Sequence, residues 1–395
     1  MHVARVLSRW LEERRLVEHK ARSTALVRVV AAALGGAKLS LTHLGRARSG
    51  DTFEKHHIKA VDRLLGNPRL HVERAGIYAA IGRTVLRGVK RPVIVVDWSD
   101  FEPGRKFALL KAAIPIGGRA ITLYECVFPF ARYNSPSAHR EFLIALHAIV
   151  PARCKPIVVT DAGFRGPWFQ AVEQLGWDFI GRVRNRIKYF NRATGRWCYT
   201  DSLYKLATAK TQHLGEVLMS KRHNYWFRLY LVRAYASHVG RHKRRRGDQP
   251  NGLYRRLHRA PWLLVTSLPH ERGCERRIKQ LYSQRMQIEQ TCRDAKSHRW
   301  GLGMRYGRCN DVERMQVLLL IASLATLMLW LAGLGARSLD WTRHFQANTV
   351  RARAVLSVIF LGRQLLLREP SALPASAFDD AWAELKCLLT QAQLA

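Results

Sequence analysis

Apolar residues recur at helical spacing through the first part of the chain, in Val3–Leu16, Thr24–Leu34, Ile58–Leu65 and Ile77–Leu86. This predicts a set of short helices with basic residues scattered through them. The pattern changes at Lys90. Residues 91–98, RPVIVVDW, form a continuous apolar run ending in a carboxylate, which reads as a buried strand that delivers Asp97 at its C-terminal edge. Two β-rich runs, 106–116 and 119–129, flank Gly117-Gly118 and predict a hairpin. Ala138–Val150 is amphipathic and reads as a helix, and Pro156–Thr160 as a second buried strand ending at Asp161. Pro167–Leu175 reads as a helix opened by proline, and Trp177–Val183 as a strand. The order β, β, β, α, β, α, β describes a mixed α/β sheet with acids placed where strands end.

Residues 185–270 break this alternation and read as a β-rich insertion. Aromatic strands at Tyr225–Tyr235 and Trp262–Leu268 flank a basic run, Arg241-His242-Lys243-Arg244-Arg245-Arg246, which is either a DNA-facing loop or a solvated linker. A long helix is expected from about Glu275 to Ser297, followed by the uncharged run 317–336, VLLLIASLATLMLWLAGLGA, and a helical tail. The uncharged run is long enough to span a bilayer, and is equally the pattern of a helix buried on all sides in a core or an oligomer interface.

Charge narrows the choice of partner. The chain of 395 residues carries 66 Lys+Arg against 29 Asp+Glu, a formal net charge of +37. A balance this basic points to a polyanion, nucleic acid before anionic membrane. Seven cysteines without a CxxC pair argue against a disulfide framework and a zinc ribbon, and suit a reducing cytosol. Met1-His2-Val3-Ala4-Arg5 carries no apolar h-region, so no signal peptide is expected.

The expected helix at 275–297 holds the candidate chemistry. At 100° per residue, Arg285, Glu289 and Lys296 fall at about 300°, 340° and 320° from Tyr282, so all four share one narrow face. Leu281, Ile288, Cys292 and Ala295 form a separate stripe that can pack on the sheet. Arg285 and Glu289 at i,i+4 are also what ordinary surface pairing looks like, so the pattern by itself leaves both readings open.

The spacing Tyr282-x2-Arg285-x3-Glu289-x6-Lys296 resembles the signature of a large group of bacterial insertion-sequence transposases of the DDE type. That group places a first acid after an apolar strand, here VVDWSD with Asp97, and a second at a strand end, here VVTDAGF with Asp161. Within the group the likeness is to cut-and-paste enzymes of insertion sequences that bound composite resistance transposons. It runs through RLLGNPRLH (63–71), TLYE (122–125), LGW (175–177), RVR (182–184), SQRMQIEQTCRDAKS (283–297), WLAG (330–333) and HFQANTVRAR (344–353). The resemblance implies an α/β, RNase H-like (retroviral-integrase-like) mixed-sheet catalytic core at 89–335, with the β-rich insertion inside it. A helical domain at 1–88 would bind DNA ends, and 336–395 would form a helical C-terminal region. It implies that Asp97, Asp161 and Glu289 hold two Mg²⁺ ions, with Mn²⁺ able to substitute. Carboxylates suit such hard ions, and two ions suit an in-line displacement at phosphorus. It further implies phosphate contacts by Tyr282, Arg285 and Lys296 and a flipped base stacked on Trp262, for which a core tryptophan on an insertion strand is the alternative. Arg182 and Arg184 are candidate strand-guiding contacts, or solvated surface.

The expected partners are double-stranded DNA, as terminal inverted repeats and as target, and at least one further protomer. The expected location is the bacterial cytosol, with no membrane partner. A non-catalytic DNA-binding derivative and a simple metal-dependent nuclease with the same core are the alternatives. No GxxxxGK[ST], HExxH or GxSxG occurs, so neither an NTPase motor, a zinc protease nor a serine hydrolase is implied.

Overall fold

The computed structural model describes residues 2–48, 50–100, 106–219, 225–233, 260–299, 301–307, 309–347, 349–350 and 353–394. The chain divides into two units, one formed by Met1–Cys154 with Met286–Ala395 and the other by Lys155–Arg285. The first unit opens with helices α1 (His2–Glu13), α2 (Lys20–Leu34), α3 (Leu41–Arg46), α4 (Glu54–Leu65) and α5 (Pro68–Val85). Asn67 caps α5 by accepting from the Leu70 N–H, and Pro68 occupies the first turn, where no amide partner is needed. The six-residue α3 was not expected, because so short a helix carries no readable period.

Strands β1 (Val93–Asp100), β2 (Phe107–Ile116) and β3 (Arg119–Pro129) follow, and in this unit they pair antiparallel in the order β3-β2-β1. Gly117 and Gly118 join β2 to β3 with φ of +51° and +80°, the left-handed pair that a two-residue hairpin turn requires. Every residue of β2 is buried. The register sets Asp97 opposite Lys111 and Lys111 opposite Glu125, so three charged residues share one face of the sheet. Helix α6 (Pro136–Ile149) covers the other face through Trp98 and Tyr124.

The second unit begins with β4 (Ile157–Thr160), α7 (Gly166–Gln174) and β5 (Asp178–Val183), and β4 and β5 pair parallel as the crossover helix between them demands. Phe169 of α7 stacks on Phe179 of β5 at 4.5 Å. Strands β6 (Lys188–Asn191), β7 (Arg196–Tyr199), β8 (Gln212–Leu218), β9 (Trp226–Val232) and β10 (Trp262–Thr266) extend this sheet in the order β4-β5-β10-β9-β8-β6-β7. Beyond the parallel β4–β5 pair, all the pairings here are antiparallel. The β-rich character expected for 185–270 is therefore present, while the basic run Arg241–Arg246 lies outside the described residues. Helix α8 (Cys274–Ser283) completes the unit.

Returning to the first unit, the chain forms α9 (Met286–Lys296), α10 (Val312–Ser338), α11 (Trp341–Phe345), α12 (Val358–Arg368) and α13 (Ala375–Leu394). The single helix expected over 275–297 is thus two helices. The turn at Gln284–Arg285 closes through bonds to Leu281 and Tyr282, three residues back, which tightens the helix end and ends the α-helical ladder. Helix α10 contains the uncharged run. It is long and apolar enough to cross a membrane, and 94% of its most apolar window is buried inside the protein. Its Gly333 and the Gly362 of α12 let the two backbones approach so closely that a Cβ at either would collide with the facing chain.

Candidate active site

Asp97 is half-buried near the end of β1, and the two-residue period of the strand places Ser99 on the same face and Trp98 on the other. On Asp97's face, the Lys296 ammonium donates to Ser99 Oγ at 2.7 Å. That bond ties the C-terminal end of α9 to β1. A second tie is Thr291, whose Oγ1 accepts from the Ala120 N–H at 2.7 Å, and a third is the ion pair of Asp294 with Arg119. Glu289 is half-buried on this same helix, one turn before the buried Cys292. Burial pushes the Cys292 thiol up, while Lys111 and Lys296 pull it down and Asp97 pushes it up, so all three charges lie within its reach. Within this unit, the structure therefore brings together the strand of Asp97, the helix of Glu289 and the ammonium of Lys296. Burial also lowers the Lys296 amine from its ordinary range.

Beneath this corner runs a buried polar chain that the sequence reading missed. Lys111 pairs with Glu125 at 2.9 Å, with exposures of only 6% and 1% for their side chains. Glu125 Oε1 accepts from Tyr78 at 3.1 Å and from Ser323 of α10. One signal was available: Lys111 is the one charge in the apolar strand FALLKAAIPI, and Glu125 is the one charge past the opening Arg119 of RAITLYECVFP. On the opposite face, Trp98 Nε1 donates to His139 Nε2 at 3.1 Å. Burial pushes His139 down to about 4, which keeps the ring neutral and able to accept.

The other candidates sit in the second unit. Asp161 is half-buried just past β4, and its Oδ1 accepts from the Gly163 N–H at 2.8 Å, which folds DAGF into a tight turn. Tyr282 near the end of α8 is only 3% exposed. Burial raises its phenol above the ordinary value; Arg285, which also hydrogen-bonds it, and Arg182 act against this, and Asp161 adds to it. The indole of Trp262, half-buried at the start of β10, meets the Tyr282 ring edge-on at 4.8 Å. Arg182 is buried and donates from Nη2 to the carbonyls of Ala260 and Pro261 at 3.1 and 3.3 Å, so it anchors the chain immediately before Trp262. Burial lowers its guanidinium, Tyr282 opposes that, and the positive charges of Arg184 and Arg285 add to it. This unit thus gathers Asp161, Tyr282, Arg285, Trp262, Arg182 and Arg184 into one neighbourhood. Tyr282 and Arg182 lie under its surface; the resemblance implied a phosphate contact for Tyr282, and Arg182 was expected as a strand-guiding contact or solvated surface.

A family model described as a transposase DDE domain matches residues 88–326, more than half of the chain. No curated protein matches it.

Proposed function

Since the chain belongs to the transposase DDE domain family, we propose that it is the cut-and-paste transposase of an insertion sequence, cutting transposon ends and joining them to target DNA. In this reading its motifs resemble those of the enzyme from the insertion sequence flanking the tetracycline-resistance composite transposon. The observation that carries the reading is the Asp97 corner. The helix of Glu289 is held on the face of β1 that bears Asp97 by the Lys296–Ser99 bond, so the Glu and Lys of the signature serve one site. In this reading, Asp97, Asp161 and Glu289 form the catalytic set. All three are half-buried carboxylates, an oxygen-only donor set that fits hard divalent cations. They would hold two Mg²⁺ ions, or Mn²⁺, which supply activation of water or a 3′-hydroxyl and neutralise the leaving oxygen.

The chain's own groups do the rest. Lys296 and Arg285 meet phosphates near the scissile bond, Arg184 guides the strand, and the guanidinium suits a two-point grip. Tyr282 and Arg182, being buried, support this grip by seating Arg285 and Trp262. Trp262 offers its indole to a base flipped from the stack as the excised end passes through a DNA hairpin. Residues 1–88 bind the transposon end, 89–335 form the RNase H-like core with the β-rich insertion inside it, and 336–395 form a helical C-terminal region. Two ends must be cut and joined together, so the active assembly holds at least two protomers, working on DNA in the bacterial cytoplasm.

The test is a gel-shift and cleavage assay on the element's terminal repeats with Mg²⁺. Asp97→Asn, Asp161→Asn and Glu289→Gln each abolish cleavage and leave binding largely intact, because an amide removes charge while barely changing shape. A variant that keeps near-wild-type cleavage overturns the three-acid assignment. Cutting without joining by the wild type would make the protein a nuclease.

A further inference from the structure

A second group of ligating side chains lies in the Lys155–Arg285 unit and plays no part in the chemistry above. His270, in the connection that leaves β10, and Cys274 and Glu275, in the first turn of α8, each offer a donor atom, and these atoms all lie within 4.8 Å of one another. Cys274 Sγ is 3.0 Å from His270 Nδ1, and Glu275 Oε1 is 3.9 Å from His270 Nε2. The thiol is buried, the imidazole exposed and the carboxylate half-buried, so a cation could enter from the imidazole side. Two neighbours complete the setting. The Tyr230 hydroxyl lies 3.0 Å from His270 Nδ1 and 3.2 Å from Cys274 Sγ, in the place of an outer hydrogen-bonding partner. The ring of His213 stacks on His270 at 3.8 Å, and its Nε2 is sealed from solvent with no hydrogen-bond partner among the described residues.

We propose that His270, Cys274 and Glu275 bind one borderline-soft divalent cation of the Zn²⁺ type. Nitrogen, sulfur and oxygen donors in one cluster suit Zn²⁺ and disfavour Mg²⁺, which takes oxygen ligands. On binding, the Cys274 thiol gives its proton to solvent and a thiolate–metal bond forms, so affinity rises with pH. A water fills the fourth position. The consequence is mechanical. The connection from His270 to Cys274 joins β10, which carries Trp262, to α8, which carries Tyr282, so the ion clamps the segment between those two residues.

The experiment uses the full-length protein, stripped with chelator and titrated with Co²⁺ and then Zn²⁺. The wild type takes up Co²⁺ with a thiolate-to-metal charge-transfer band, and one equivalent of Zn²⁺ removes that band. Cys274→Ser abolishes the band, and Tyr230→Phe weakens affinity by about 10–100-fold, as loss of an outer partner does. His270→Gln, at an exposed position, serves if the serine variant does not fold, and its affinity falls by more than that range. No band in the wild type, a band that survives in a folded Cys274→Ser protein, or an unchanged affinity in His270→Gln overturns the site.

Discussion

One buried cation of the first unit and two outer cations of the second sit in opposite settings. In the first, Lys111 and Glu125 lie inside the sheet, 5% and 1% exposed, with Tyr78 and Ser323 on the carboxylate. In the second, Arg186 lies over the Tyr199 ring at 3.6 Å and Arg192 over Trp226 at 5.4 Å, with Trp226 40% exposed. Each setting holds a side-chain cation, paired with a carboxylate in the one and lying over an aromatic ring in the other, and the dielectric differs. An inner pair cannot be half removed without stranding a charge, so it fixes geometry. An outer guanidinium contributes little to folding and stays within reach of phosphate. The buried pair is thus a rigid element under Asp97, and these outer guanidinium groups are adaptable charge in the Lys155–Arg285 unit.

Breaking the inner pair gives the largest effect. Lys111→Met leaves Glu125 buried and uncompensated, and should cost about 3–5 kcal/mol in urea unfolding. Adding Glu125→Gln should recover most of that loss, since the amide oxygen still accepts from Tyr78 and Ser323. A single-variant cost below about 1 kcal/mol would show that the pair is solvated and does not hold the strand.

The second effect, smaller and graded with pH, also belongs to the interior. His139 has a folded pKa pushed down to about 4 by burial, against 6.5 when unfolded. Between those values the unfolded chain binds the extra proton, so stability is full above pH 6.5 and falls as pH drops toward 4. The loss approaches about 3 kcal/mol at the acid end. Denaturant midpoints at pH 7 and pH 4.5 check it, and His139→Gln should flatten this part of the profile. An unchanged pH dependence in that variant would assign the acid sensitivity elsewhere.

The contrast also explains what was legible in the chain beforehand. The apolar runs ending at Asp97 and Asp161, the Gly117-Gly118 hairpin and the uncharged helix are local patterns, and each folds where its period says. Lys111 and Glu125 were not singled out, because one charge in a ten-residue apolar strand looks like an edge position until register shows it facing a partner. The continuous helix over 275–297 failed for a related reason. Periodicity reports the α-helical face on both sides of Gln284–Arg285, but the three-residue bonds that close α8 are a feature of the turn, with no breaker residue to announce them. Tyr282 and Arg182 share the third difficulty. The resemblance implied a DNA contact for Tyr282, and Arg182 was expected as a contact or as solvated surface, whereas burial beneath Trp262 and the Ala260–Pro261 carbonyls depends on strands distant in sequence.

The smallest effect on stability is expected at the outer cations, and there the readout has to be DNA. Arg192 pairs with Glu216 at 2.6 Å, but its side chain is 66% exposed, so the pair is screened and contributes under about 1 kcal/mol. Arg192→Ala should therefore leave the unfolding midpoint almost unchanged. With a net charge of +37 the protein should bind transposon ends with a steep salt dependence, losing orders of magnitude in affinity between about 50 and 200 mM. If Arg192 is one of the cations that displace counterions, the variant lowers the slope of log affinity against log salt by about one, uniformly across DNA sequences. Lys111→Met, measured in the same assay under conditions where it remains folded, should leave the slope alone, because a buried ammonium displaces no counterion. A slope that falls for Lys111→Met and not for Arg192→Ala would invert the comparison and place the DNA-facing charge in the sheet interior.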